Sequence, residues 1–90
     1  MADFHEVQEL LVKDNPNGEQ EFKIISEGEE LVSGSLSKVV HYINNNELFD
    51  ISANGNIGKY LGNWRYATEI EVSICIKEAK YLYAFNESDD

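Results

Sequence analysis

Residues 64–77, with the sequence WRYATEIEVSICIK, constrain the fold of this chain most strongly. Aromatic, β-branched and other large residues occupy every second position, and charged or small residues lie between them. The first set is Trp64, Tyr66, Thr68, Ile70, Val72, Ile74 and Ile76. This alternation is typical of a β-strand that buries one face and exposes the other. It predicts a strand over 64–77, with a bend near Ala67 or Thr68 because strands are rarely so long. YLYAF at 81–85 is the predicted partner strand.

The turn NPNG at residues 15–18 predicts a β-hairpin near the start of the chain. Pro16 presets its φ for a turn, and Gly18 tolerates a positive φ. The turn separates EVQELLVKD from EQEFKIIS, which predict the two strands, and a second turn, SEGEE, leads to a short third strand, ELVSG. An alternative stays open for residues 6–14, because the apolar residues between Phe4 and Leu11 also have helical spacing.

The stretch SLSKVVHYINNN at residues 35–46 predicts a helix. Its apolar residues at i, i+3, i+4 and i+7 form one stripe: Leu36, Val39, Val40 and Ile43. Ser35 or Ser37 is suited to cap the start, and the run of three asparagines is suited to end the helix in the left-handed conformation. The segment NIGKYLGNW at 56–64 predicts a second, short helix.

The predicted order of elements indicates an α+β fold. We expect a small antiparallel β-sheet of about four to five strands, packed on one face by one main helix and a short second helix. Ninety residues are enough for a single domain, 1–90, with a frayed tail at 86–90.

Charge is distributed unevenly along the chain, whose formal net charge is −10. Residues 1–34 carry nine acids and two bases, residues 35–68 two acids and three bases, and residues 69–90 six acids and two bases. A field of this sign repels phosphate backbones and steers basic partners towards the chain. Acidity also serves solubility alone in many proteins. The composition favours a non-catalytic acidic protein-interaction domain that binds a basic surface of a larger partner.

The candidate partner-binding residues are carboxylates near the first turns and on the exposed face of the predicted long strand. They are Glu19, Glu21, Glu27, Glu29, Glu30, Glu69 and Glu71. Two residues apart on one strand face, Glu69 and Glu71 would be separated by roughly 6 to 7 Å, close to the spacing of successive phosphates in DNA. The sharpest hypothesis is therefore a DNA mimic that inhibits a nucleic-acid-binding enzyme. Anti-restriction and anti-CRISPR inhibitors of phages and mobile elements act in this way, a comparison by class that rests on no motif in this chain.

Two other functions stay open. Residues 35–66 contain Lys38, Lys59 and Arg65 among aromatic side chains, and predict as an alternative a small regulator that binds nucleic acid directly. Direct binding of nucleic acid is the weaker expectation, since the predicted helices are too far apart for a helix-turn-helix and the bases too few. The second alternative is a homo-oligomeric structural subunit, assembled through an unpaired edge of the sheet.

No group of residues predicts catalysis, a cofactor or a metal site. His5 and His41 lack partners at metal-ligand spacing, and Cys75 has no evident histidine or helix N-terminus beside it. The glycines of NGNIGK are too weakly spaced for a phosphate-binding loop. We therefore expect no enzyme activity and no cofactor.

The sequence also predicts a cytoplasmic protein. Its single cysteine excludes an intramolecular disulfide framework and is typical of a reducing compartment. Residues 1–20 lack the basic start and apolar run of a secretory signal, and no apolar stretch approaches the ~20 residues of a membrane span. We expect no membrane partner, and for a phage protein the compartment would be the host cytoplasm.

Overall fold

A computed structural model describes residues 8–51, 53, 60 and 62–88 of the chain. Within these residues the elements are β1 Gln8–Asp14, β2 Gln20–Ser26, β3 Glu29–Gly34, α1 Leu36–Asn46, β4 Trp64–Tyr66 and α2 Glu69–Ser88. The four strands form one antiparallel sheet in the order β3-β2-β1-β4. The predicted α+β class, with an antiparallel sheet and two helices, is confirmed.

The first hairpin joins β1 to β2 through the predicted NPNG turn. The amide of Gly18 donates to the carbonyl of Asn15 at 3.0 Å, and the amide of Asn15 donates to the carbonyl of Glu19 at 2.9 Å. Gly18 has a φ of 91°, which glycine adopts without steric cost. The strand interpretation of the first segment is therefore confirmed for Gln8–Asp14.

The second hairpin joins β2 to β3 through the two residues Glu27 and Gly28. Their φ values are 53° and 85°, and two positive φ values are typical of the tight type I′ turn that suits twisted strands. In β3, Val32 pairs with Ile24 whereas Glu30 pairs with Ile25. The residue between them is therefore a β-bulge, which bends the strand and increases its twist.

Helix α1 begins and ends with specific caps. Its start is capped by Ser35, whose Oγ accepts a hydrogen bond from the amide of Lys38 at 3.2 Å. At its end, the amides of Glu47 and Leu48 donate to the carbonyls of Asn44 and Ile43, which is the hydrogen-bond pattern of a Schellman motif. The left-handed residue is Glu47, with a φ of 54°, whereas the sequence had favoured an asparagine there.

The main core lies between one face of the sheet and both helices. Alternate residues of β1 and β2 face inward, because successive side chains of a strand point to opposite sides. The core contains Leu10, Val12, Phe22 and Ile24 from the sheet, Val39, Val40 and Ile43 from α1, and Val72, Cys75 and Ala79 from α2. A buried hydrogen bond also joins the helices, from Asn44 Nδ2 to the carbonyl of Ala79 at 3.0 Å.

The long strand predicted over 64–77 is wrong beyond its first three residues. Strand β4 ends at Tyr66, the amide of Ala67 makes a last hydrogen bond to the carbonyl of Leu10, and α2 begins at Glu69. The predicted strand at 81–85 also belongs to this helix. The bend expected near Ala67 or Thr68 is therefore the point at which the chain changes from strand to helix.

A reciprocal cap at Thr68 explains this change. The amide of Glu71 donates to Thr68 Oγ1 at 3.2 Å, and the amide of Thr68 donates to Glu71 Oε1 at 2.9 Å. This is the capping box, which satisfies two amides that would otherwise lack partners. Burial of Val72, Cys75 and Ala79 at i, i+3 and i+7 then favours the helix over the strand.

Two further expectations fall partly outside the described residues. Most of the short helix predicted at 56–64 lies outside the described residues. Within the described part, Trp64 belongs to β4. The second helix of the fold is α2 instead. At the other end of the chain, α2 continues through 86–88 of the tail that we expected to be frayed, and 89–90 lie outside the described residues.

Candidate interaction surfaces

The predicted acidic residues of the first two hairpins lie at opposite ends of β2. Glu19 and Glu21 lie at its start, whereas Glu27, Glu29 and Glu30 lie at or beyond its end. Seven strand residues separate the two turns, a distance of about 20 Å at the usual rise of a strand. The structure therefore divides this set into two surfaces.

We call Glu27, Glu29 and Glu30 the acidic tip. All three are exposed, and they surround the two-residue turn between β2 and β3. Glu30 accepts a hydrogen bond from Ser33 Oγ at 3.0 Å and lies 3.8 Å from Lys23 Nζ. Among the described residues, neither Glu27 nor Glu29 takes part in an ion pair. Within the described part of the chain, the acidic tip thus presents three carboxylates and one ion-paired cation, Lys23.

The other hairpin end is more fully engaged in local contacts. Glu21 is half-buried and accepts a hydrogen bond from Asn15 Nδ2 at 3.1 Å. Glu19 is exposed, and its amide donates to Asn17 Oδ1 at 3.0 Å. The side chain of Gln20 donates to Asp14 Oδ1 at 2.8 Å. This surface therefore offers Glu19 as its most accessible predicted carboxylate.

Arg65 joins β1, β4 and α2 through two carboxylates. Its Nε donates to Asp14 Oδ2 at 2.7 Å, and its Nη1 and Nη2 donate to the two oxygens of Glu71 at 2.9 and 2.8 Å. The hydrogen bonds from Arg65, and secondarily from Gln20, lower the pKa of Asp14 to about 2. Hydrogen bonds from Arg65 also lower the pKa of Glu71, and those to Glu71 and Asp14 raise the pKa of Arg65.

Glu69 and Glu71 do not form the pair of carboxylates expected on a strand. Both lie in the first turn of α2, where residues two positions apart point in different directions. Glu71 is occupied by Arg65 and by the cap at Thr68, and Glu69 is exposed. The expected match to the spacing of DNA phosphates is therefore wrong for these two residues.

The three bases of the alternative nucleic-acid surface do not form a described cluster. Arg65 is neutralised by Asp14 and Glu71, and Lys38 is exposed on α1. Lys59 lies outside the described residues. Arg65 is thus unsuited to contact phosphates while these ion pairs persist.

The sheet face away from the helices carries an aromatic and cationic cluster that sequence reasoning missed. Lys23 Nζ lies 4.3 Å from the centre of the Trp64 ring, and Lys13 Nζ lies 5.9 Å from it. Since β1 separates β4 from β2, the Trp64 ring must cross β1 to reach Lys23. Leu11, which pairs with Lys23 on one side and Tyr66 on the other, is completely buried on the same face. Both lysines are held against an aromatic ring by cation–π attraction.

A shallow groove of about 460 Å³ follows one side of α2. Its apolar lining comes from Phe49, Ile51 and Ala53 and from Val72 and Ile76, and its polar lining from Glu69, Ser73, Lys77 and Lys80. This groove is not predictable from the sequence, because the alternation of residues 69–77 predicts a strand. Helical spacing now places its α2 residues on one side of the helix.

The two outer strands of the sheet offer little for edge pairing. Strand β4 has three residues, and β3 carries a bulge together with Glu29 and Glu30. Short, bulged and charged edges oppose the addition of a further strand. The described residues therefore do not favour a homo-oligomer built through a sheet edge.

Catalytic and metal-binding groups are not gathered within the described residues. Cys75 is 1% exposed, and burial together with the charges of Glu71 and Glu78 raises the pKa of its thiol to about 11. His41 Nδ1 lies 2.8 Å from the carbonyl of Ser37, and His5 lies outside the described residues. No group of three metal-ligating side chains, and no helix able to cross a membrane, occurs in the described part of the chain.

Comparison of the chain with protein-family models, curated proteins and solved structures found no match.

Proposed function

We propose that this protein is a non-catalytic acidic interaction domain that binds a basic surface of a larger partner through the acidic tip. The observation that carries the proposal is the exposure of Glu27 and Glu29 on either side of Gly28, beside the exposed Glu30. A two-residue turn between paired strands holds them. The backbone of so short a turn loses little freedom on binding, which favours affinity.

The described cations do little to offset the negative field around this tip. Arg65 is neutralised by two carboxylates, and Lys23 lies between the Trp64 ring and Glu30. The net charge of −10 is the excess of carboxylates that remains after every cation of the chain is counted. Such a field accelerates encounter with a basic partner and loses its effect as salt is added.

The partner class that fits best is a nucleic-acid-binding enzyme with a positively charged groove. Carboxylates of the tip would occupy positions that phosphates take in that groove, so the protein would compete with DNA. The support is the accessible charge of the tip, not a phosphate-like spacing along a strand. The proposal places the protein in the cytoplasm beside such enzymes, and the buried free thiol of Cys75 is compatible with a reducing compartment.

Displacement of DNA tests the proposal directly. Fluorescence anisotropy would follow labelled DNA bound to each of a panel of basic nucleases and DNA-binding proteins at low salt, as the full chain is added. We expect displacement from at least one enzyme, weakening as salt is raised. If no member of the panel releases its DNA, the proposed function is wrong.

Two matched double variants distinguish binding through the acidic tip from a general effect of net charge. Glu27→Gln with Glu29→Gln, and Asp50→Asn with Glu78→Gln, each remove two negative charges from exposed positions. We expect the first pair to weaken competition about tenfold and the second to change it less than about twofold. Equal weakening by both pairs would assign the effect to overall charge and reject the tip as the binding surface.

A further inference from the structure

Helix α2 has a second apolar face on the side turned away from the core. Ile70, Ile74 and Tyr81 are 72%, 46% and 68% exposed, and they are the only large apolar side chains exposed to this degree among residues 8–51, 53, 60 and 62–82. Single exposed apolar residues are ordinary on protein surfaces, but here all three fall on one helix. Such concentration indicates an interaction surface.

The spacing of these residues matches the contact line of paired helices. Ile70, Ile74, Lys77 and Tyr81 stand at i, i+4, i+7 and i+11, and we call them the α2 stripe. This is the a/d spacing of a coiled coil, in which each such residue packs between side chains of a second helix. The stripe extends about 16 Å along the helix.

The charges beside the stripe are self-complementary. Glu69 lies at the start of the stripe, and Lys77 and Lys80 lie in its second half, all exposed. None of the three takes part in an ion pair within the described residues. Glu69 and Lys80 lie on the same flank of the stripe, the flank that also lines the groove. Antiparallel helices related by a two-fold axis bring the same flanks together.

We propose that α2 is the interface of an antiparallel homodimer. Ile70 of each copy packs near Tyr81 of the other, the Ile74 side chains meet near the two-fold axis, and Glu69 pairs with Lys80 of the second copy. A parallel arrangement would instead place the two Lys77 side chains opposite each other and would align the two helix dipoles unfavourably. Lys77 belongs to both the stripe and the groove, so the interface extends towards the apolar groove lining.

Sedimentation equilibrium of the full chain tests this dimer. Over about 1 to 200 μM we expect reversible monomer–dimer association, because the stripe is small compared with the interface of a permanent dimer. Ile70→Ser with Ile74→Ser should raise the dissociation constant at least about tenfold. Their exposure makes loss of folding unexpected, and circular dichroism with urea unfolding would check this. A monomer at every concentration, or a dimer unaffected by these two substitutions, would overturn the proposal.

Charge exchange tests the antiparallel arrangement. Glu69→Lys alone should weaken the dimer about fivefold at low salt, and Lys80→Glu alone should do the same. The double variant restores the pair with its signs exchanged. On a logarithmic scale of the dissociation constant, it should therefore recover at least half of the affinity that the single variants lose. Glu19→Lys makes the same charge change outside the α2 stripe, on the first hairpin, and should alter the dimer less than about twofold. Additive losses in the double variant would reject the Glu69–Lys80 contact and the antiparallel arrangement.

Discussion

Arg65 and Glu71 are joined by two parallel hydrogen bonds, Nη1 to Oε1 at 2.9 Å and Nη2 to Oε2 at 2.8 Å. Arg65 belongs to β4 and Glu71 to the first turn of α2, so the pair fixes the direction in which the helix leaves the sheet. The remaining Nε donates to Asp14 of β1 at 2.7 Å. One guanidinium therefore connects β4 and the neighbouring start of α2 to β1, which is 51 residues away in sequence.

Replacement of Arg65 by lysine tests the importance of this geometry. Lys retains the charge but cannot donate in parallel to both oxygens of Glu71 while also reaching Asp14. We expect Arg65→Lys to lower the free energy of unfolding by about 1 kcal/mol, measured by urea denaturation. Lys38→Met removes an exposed cation on α1 and should cost less than about 0.5 kcal/mol. A loss in Arg65→Lys no larger than in this control would show that the two-point geometry is unimportant for stability.

Stability should depend on acid pH through the same cluster. Asp14 and Glu71 have lowered pKa values in the folded state, so the unfolded chain takes up their protons first as the pH falls. Their stabilising contribution is complete above about pH 5 and is lost progressively towards about pH 2. Urea unfolding between these values should therefore show a steeper decline for the natural chain than for Arg65→Met. Parallel pH profiles for the two proteins would contradict this assignment.

Replacement of Glu47, the left-handed residue that follows α1, by glycine should stabilise the protein. Glu47 has a φ of 54°, which is unfavourable for a residue with a Cβ atom. We expect Glu47→Gly to raise the free energy of unfolding by about 0.5 to 1 kcal/mol, because glycine is the preferred residue at this cap. Asn45→Gly, inside the last turn of the helix, should lower it by up to about 1 kcal/mol. Thermal or urea unfolding would distinguish these opposite signs, and a destabilised Glu47→Gly would argue against the cap.

The thiol of Cys75 should be nearly unreactive in the folded protein. It is 1% exposed and its pKa is raised to about 11, so at pH 8 the folded chain contains little thiolate and presents none to solvent. We expect modification by a disulfide reagent to be at least about 100-fold slower than in urea, with a rate that follows opening of the structure. The raised pKa also means that stability falls as the pH rises above about 9, where the unfolded thiol loses its proton first. Rapid labelling of the native chain would contradict the buried position.

Local chemistry made the first half of the fold predictable. The NPNG turn, the Ser35 cap and the apolar face of α1 each depend on residues that are close together in sequence. The end of that helix was misplaced by one residue for a physical reason. The Schellman hydrogen bonds of Glu47 and Leu48 outweigh the cost of a positive φ at a glutamate.

The second half was misinterpreted because residues 64–77 satisfy two periodicities. Ile70 and Ile74 complete the alternation, yet they are exposed and contribute nothing to the core. The useful signal was Thr68 followed three residues later by Glu71, the sequence of a capping box. Alternation indicates a strand only when one of its two faces is buried.

The candidate surface was predictable in composition but not in arrangement. The sequence identified the carboxylates of the acidic tip as exposed turn residues, and the structure agrees that they are exposed. It could not show that Asp14 and Glu71 neutralise Arg65, or that Trp64 reaches Lys23 across a strand. The contacts of Arg65 with Asp14 and of Trp64 with Lys23 join distant parts of the chain, and one sequence without its fold does not reveal them.

The position of β1 inside the sheet has a consequence for how the chain folds. Its pairing with β2 is a local hairpin. Its other neighbour is β4, where Leu11 pairs with Tyr66, a residue far from it in sequence. Closing such a distant pair costs more chain entropy than closing a hairpin. During synthesis the three-stranded meander is complete by Gly34, well before β4 and α2 emerge. Until β4 and α2 have been synthesised, one edge of β1 is unpaired and its apolar face is not covered by α2. The nascent chain is therefore more prone to aggregation at this stage than after the fold is complete.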